Sequence, residues 1–130
     1  MTRLASLVLV VRNLERAVAI YEEGLGFHRA EGPSDVPSLG ARRILLRAEN
    51  CHLEVLEPYD ETKPPGLFLG ARGEGVFSLA LDLDDPVEAR ARLANAFVQV
   101  RGAADDPERG YVRPADAHGL LLQLGPTASS

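Results

Sequence analysis

Short apolar runs alternate with mixed polar stretches along the chain, and the order in which they come is written twice. Residues 4–11 are apolar and partly β-branched, bounded by Arg12 and Asn13, and predict a buried strand. Asn13 stands where a helix cap belongs, and Leu14, Ala17, Val18, Tyr21 and Leu25 follow at helical spacing until Gly26 ends the run. "FHRAEG" predicts a weak edge strand ahead of a loop around Pro33 and Pro37. "ARRILLRAEN" and "CHLEVLEP" predict two strands joined at Glu49 and Asn50. Residues 59–74, with Pro64, Pro65 and a cluster of glycines, predict a linker with a short helical turn at "LFLGAR".

The second half repeats this order. Residues 77–83 predict a strand. Asp85 is a cap, Pro86 takes the first helical position and Glu88 completes an arrangement like a capping box. Val87, Ala91, Ala94 and Phe97 mark the expected buried side of that helix, and "FVQVRG", "GYVRP" and "GLLLQLGP" predict further strands. Setting Ser6 on Ser78 also sets Leu7 on Leu79, Leu9 on Leu81, Val11 on Leu83, Asn13 on Asp85 and Ala17 on Ala89. The expectation is an α+β protein of two βαβββ modules, with about eight strands and two main helices. Module 1 covers about residues 1–58, the linker about 59–74 and module 2 about 75–126 of a single 130-residue domain.

Composition narrows the function. A hydrophobic share of 45% and a charged share of 25% are those of an ordinary globular protein. A net charge of -5 argues against a nucleic-acid partner, which needs a basic face. The apolar run near the start is too short for a membrane span, so no membrane partner is expected. Cys51 is the one cysteine, which excludes a disulfide framework within the chain and fits a cytoplasmic location.

Four strings carry a family resemblance: "VRNLERAVAIYEEGLGF", "LLRAENCHLEVLEP", "FLGARGEGVFSLALDLDD" and "RPADAHGLLLQLGP". Over nearly its whole length the chain resembles the vicinal oxygen chelate superfamily. That superfamily includes glyoxalase I, bleomycin-resistance proteins, extradiol dioxygenases, fosfomycin-resistance enzymes and methylmalonyl-CoA epimerase, and the likeness is nearest to the epimerase branch. The resemblance implies two modules whose mixed sheets curl into a cup around a small-molecule site, and a homodimer. It also implies one divalent-metal site to which each module contributes two ligand positions. In metal-dependent members a histidine stands where this chain has Ser6 and Ser78, and a carboxylate or amide stands where it has Glu54 and Gln123. An acid–base glutamate of the epimerases falls at Arg43.

Residues two apart on a strand share a face. Ser6, Val8 and Val10 are therefore expected to face the cup, and Leu7, Leu9 and Val11 the helix layer. Two serine hydroxyls in place of imidazoles, with one charged ligand in Glu54, give a poor donor set, and the expectation is no tightly bound metal and no cofactor. An arginine cannot serve as a base at neutral pH. The expected ligand-binding set is Ser6, Arg43, His52, Glu54, Ser78 and Gln123, a few polar groups that orient a small organic ligand. Two function classes stay open. One is a metal-independent binder of a drug, natural product or acyl metabolite. The other is a metal-free isomerase, epimerase or lyase-like enzyme with Glu54 and His52 as the catalytic pair. Beside both stands a bland alternative, in which Arg43 and Glu54 form an ion pair that fills the pocket and His52 is an ordinary cross-strand residue.

Overall fold

The computed structural model describes residues 1–102 and 105–127. Among them are seven strands and three helices, in an α+β arrangement. The chain divides into two compact units, one of Ser6–Phe77 and one of Ser78–Ser130 together with Met1–Ala5.

The first unit contains β1 (Arg3–Val10) from Ser6 onward, α1 (Leu14–Val18), β2 (His28–Val36), β3 (Ala41–Arg47), β4 (His52–Pro58) and α2 (Pro64–Arg72). Its strands lie in the order β2-β3-β4-β1. β1 runs parallel to β4, and β3 is antiparallel to both of its neighbours. The alternation expected of β1 is present. Leu7, Leu9 and Val11 pack with Leu14 and Ala17 of α1 against Ile44, Leu46, Leu53 and Val55. Val8 and Val10 lie in a second cluster with Ala41 and Leu56.

Asn13 caps α1, its side chain accepting from the Arg16 amide at 3.0 Å. The helix then widens into a π turn over Ala19–Gly24. That change of winding carries Leu25 off the apolar stripe, and it ends 65% exposed rather than buried as its spacing suggested. Phe27 closes the stripe instead, meeting Tyr21 edge-on at 5.8 Å.

The stretch expected to be a linker is mostly the helix α2. Pro64 and Pro65 occupy its first positions, where a missing amide hydrogen costs nothing and the fixed φ favours the turn. Phe68 and Leu69 then cover Val8, Val10 and Leu56, with Phe77 edge-on to Phe68 at 5.4 Å. β2 is the edge strand, and its register slips between Glu31 and Ser34. Gly32 sits at the slip with φ +92°, and a Cβ there would meet the Arg43 carbonyl oxygen at 2.5 Å, so only glycine fits.

The second unit contains β5 (Gly75–Leu83) from Ser78 onward, α3 (Pro86–Asn95), β6 (Gly110–Val112) and β7 (Leu122–Pro126), in the strand order β5-β7-β6. Asp85 caps α3 by accepting from the Glu88 amide at 3.0 Å, with Pro86 at the first position as expected. Two expectations are corrected here. "FVQVRG" is not a strand: the Val98 amide donates to the Leu93 carbonyl at 2.8 Å, closing the helix end, and only Arg101 bridges to Tyr111. The buried side of α3 is also different. Val87, Ala91, Ala94 and Phe97 are exposed, Phe97 at 97% with φ +64°. Leu93 is the anchor against Val100, Val112 and Ala117. Arg90 is half-buried and donates to the Val100 carbonyl at 3.1 Å, tying α3 to the segment that follows it. Among the described residues no helix is long and apolar enough to cross a membrane.

Candidate functional site

The face of the first unit opposite α1 carries the polar residues. Ser6 on β1 pairs with His52 on β4, and Val8 pairs with Glu54. Across the other edge of β4, Glu54 pairs with Leu45 and Leu56 with Arg43. Because α2 covers the Val8–Val10–Leu56 end of this face, Ser6, His52, Glu54, Arg43 and Leu45 form what is left uncovered by it. Ser6, Arg43, His52 and Glu54, four of the residues singled out from the sequence, are thus brought onto one face.

Arg43 donates from Nε to Glu54 Oε1 at 2.9 Å, and from Nη1 to Glu31 Oε2 at 3.2 Å. The Arg43 and Glu54 side chains are 26% and 20% exposed, whereas Glu31 is 62% exposed. The register explains the triad: Glu31 on β2 and Glu54 on β4 both oppose Leu45, so the neighbouring same-face Arg43 reaches each of them diagonally. Glu31 was not anticipated from the sequence. Its signal was the Glu-Gly-Pro of an edge strand, which reads equally well as a loop.

Ser78 and Gln123 belong to the second unit. Ser78 is 1% exposed, and its hydroxyl has no hydrogen-bond partner among the described residues. Gln123 is exposed on β7, opposite Ala80. Ala80 stands two residues after Ser78, as Val8 stands two after Ser6, and Val8 is opposite Glu54. Glu54 and Gln123 therefore hold the same register position in their own units, which is what the repeat required.

The donor groups at these positions are a poor set for a divalent ion. Among the described residues no group of three His, Cys, Asp or Glu side chains comes together. The first unit offers one hydroxyl, one imidazole in His52 and one carboxylate, and that carboxylate already accepts from a guanidinium. The second offers a hydroxyl and an amide. Magnesium asks for more carboxylate than this, and softer ions for more nitrogen or sulfur.

A second polar network lies on the α1 side of the same strands and supports the helix. Glu57 Oε2 accepts from the Leu14 amide at 2.8 Å, and Glu57 Oε1 from Arg42 at 3.2 Å. Arg42 also reaches Glu15 at 3.0 Å. The Glu15 carboxyl is held below its ordinary range by its own backbone amide and then by Arg42. The Arg42 guanidinium is held more firmly protonated by Glu15. Nearby, the Tyr59 phenol donates to Asp35 at 2.6 Å, which pushes its ionisation up. Asp60 is held down by the Thr62 hydroxyl and amide. Cys51 is half-buried, and His28 and His118 are exposed; none of them joins the triad.

Residues 3–124 match the Glyoxalase/Bleomycin resistance protein/Dioxygenase superfamily, and the chain belongs to that family. Within it, the chain is 30% identical over 130 residues to the ethylmalonyl-CoA/methylmalonyl-CoA epimerase of Cereibacter sphaeroides, covering 94% of this chain and 96% of that protein. Among solved structures it is similar to methylmalonyl-CoA epimerase from Mycobacterium tuberculosis (TM-score 0.75, 25% identity, 97% of this chain and 89% of that one). A protein of Bacillus halodurans C-125 described as hypothetical superposes with a TM-score of 0.83 at 22% identity, covering 99% and 96% of the two chains, and shows the same fold.

Proposed function

We propose that this protein binds a small carboxylate-bearing organic ligand on the Arg43–Glu54 face without a divalent metal, and that a malonyl-type acyl-CoA thioester is the favoured class. One observation carries the reading: the guanidinium of Arg43 is anchored at Nε by Glu54 at 2.9 Å, which fixes a cation on the face. A fixed guanidinium meets a carboxylate with two parallel hydrogen bonds, giving orientation as well as attraction. The kinship at 30% identity with an epimerase named for ethylmalonyl-CoA and methylmalonyl-CoA supports the ligand class. Ser6 and His52 supply further polar contacts beside it, while Ser78, which is buried, and Gln123 hold the matching register positions in their own unit.

A second reading makes the protein a metal-free epimerase, isomerase or lyase-like enzyme. It is favoured by the placement of His52 and Glu54 two residues apart on one face of β4, as two groups able to exchange protons with a bound acyl group. The chain is taken in either case as one domain of two modules, and as a cytoplasmic homodimer, which light scattering on the purified protein tests.

The experiment is a thermal-shift series with methylmalonyl-CoA, ethylmalonyl-CoA and unrelated natural products. A ligand present at 100 times its Kd stabilises the folded state by about 2.7 kcal/mol. Stabilisation by the malonyl thioesters, lost in Arg43→Ala, is the expected result. Equal stabilisation of wild type and variant places the ligand elsewhere. Exchange of the α-hydrogen with solvent deuterium, absent in Glu54→Gln, would decide for the enzyme.

A further inference from the structure

We infer that Glu31 is a displaceable internal anion that occupies the ligand-carboxylate position on Arg43, so that the site admits only ligands whose carboxylate outcompetes it. The inference rests on the proposed function and adds to it the residue that sets selectivity. The guanidinium of Arg43 has three donor nitrogens. Nε is committed to Glu54, in a pair whose two side chains are about three-quarters buried or more. The two terminal nitrogens form the end-on edge, the one that receives a carboxylate with two parallel bonds. Glu31 holds only one of them, Nη1, at 3.2 Å, and Nη2 has no partner among the described residues.

The two acids are not equivalent. Glu54 sits on the inner strand β4, while Glu31 sits on the edge strand β2 and is 62% exposed. An exposed ion pair is worth little, because water solvates both partners almost as well apart. Glu31 therefore leaves readily and Glu54 stays. The slip in β2 just after Glu31, enforced at Gly32 by the close approach of the Arg43 carbonyl, fixes the register that keeps Glu31 opposite Leu45 and within reach of Arg43.

The balance of charge gives this contact its consequence. Arg43 with Glu31 and Glu54 carries a net charge of about -1, which repels a passing anion, whereas Arg43 with Glu54 alone is neutral and presents an open fork. A ligand with a properly placed carboxylate replaces Glu31 on the fork. One without a carboxylate gains nothing there and leaves the Glu31 contact in place.

Calorimetric titration tests this with methylmalonyl-CoA and propionyl-CoA, which differ by the carboxylate. Glu31→Gln should tighten methylmalonyl-CoA binding by up to about fivefold, the ceiling set by an exposed ion pair, and leave propionyl-CoA unchanged. Glu49→Gln, an exposed acid in the β3–β4 turn, should change neither. In an Arg43→Lys background, which keeps the charge and loses the fork, the Glu31→Gln gain should disappear. Binding by Glu31→Gln alone, with none by the wild type, would support the inference most strongly. Arg43→Lys weakening methylmalonyl-CoA while Glu31→Gln has no effect, or weakens it too, would overturn the inference and leave the proposed function standing. Identical binding by all variants, or binding by none, would overturn both.

Discussion

Removing Arg43 should cost more than the loss of one surface ion pair, and the structure says roughly how much. Glu31 and Glu54 lie on either side of Leu45, two strand spacings apart, or about 10 Å. With Arg43 gone, their carboxylates repel by about 0.4 kcal/mol at the dielectric of water. The lost Arg43–Glu54 contact falls between two limits. Exposed pairs are worth about 0.2–1 kcal/mol, and stranding one partner of a fully buried pair costs about 3–5 kcal/mol. With side chains 26% and 20% exposed, a value near 1 kcal/mol is appropriate. Arg43→Ala should therefore destabilise by roughly 1.5 kcal/mol, lowering Tm by roughly 4–8 °C in a chain of this size. Urea denaturation of wild type, Arg43→Ala, Glu54→Ala and the double variant closes the cycle, and a coupling of about 1 kcal/mol is expected between the two positions. Additivity within about 0.3 kcal/mol would mean that the pair does not exist in solution, and the reading of the face would go with it.

Two further outcomes check other parts of the structure. Leu46 is fully buried between α1 and the sheet, so Leu46→Ala should cost about 2–5 kcal/mol in urea denaturation, against less than about 0.5 kcal/mol for Leu25→Ala on the exposed end of the same helical segment. Tyr59 should ionise above the ordinary phenol value in a spectrophotometric titration. Its folded-state ionisation lies above the ordinary 10.0, so the Asp35 contact contributes below pH 10 and is lost as pH rises through the higher folded value; Asp35→Asn should bring the titration back down.

What the sequence made legible was whatever depends on neighbours along the chain. Strand alternation put Ser6, His52, Glu54 and Arg43 on one face, and the Asn13 and Asp85 caps fell where their side chains can reach an amide three residues on. The repeat of "SLVLVV" in "SLALDL" carried through to matching registers for Glu54 and Gln123. The features that were not legible depend on winding or on distant partners. Leu25 leaves the core because α1 changes to a π turn, which periodicity at 3.6 residues does not register. Pro64 and Pro65 look like breakers and act as helix starters, because their effect depends on being at the beginning. The face of α3 was misjudged because its alanines give little contrast and Arg90 counts as polar, although it is half-buried and bonded to the Val100 carbonyl. Glu31 joined the site only through a slip in β2, and a slip cannot be seen until the strand is paired.

The central claim is that Arg43, and no metal ion, receives the anionic end of the ligand. The most direct measurement is calorimetric titration of chelator-treated, metal-free protein with methylmalonyl-CoA, repeated after adding excess cobalt, with Arg43→Ala alongside. The expected result is the same affinity with and without cobalt, and at least a tenfold weakening in Arg43→Ala. Binding that appears only with cobalt, and that Arg43→Ala leaves intact, would contradict it.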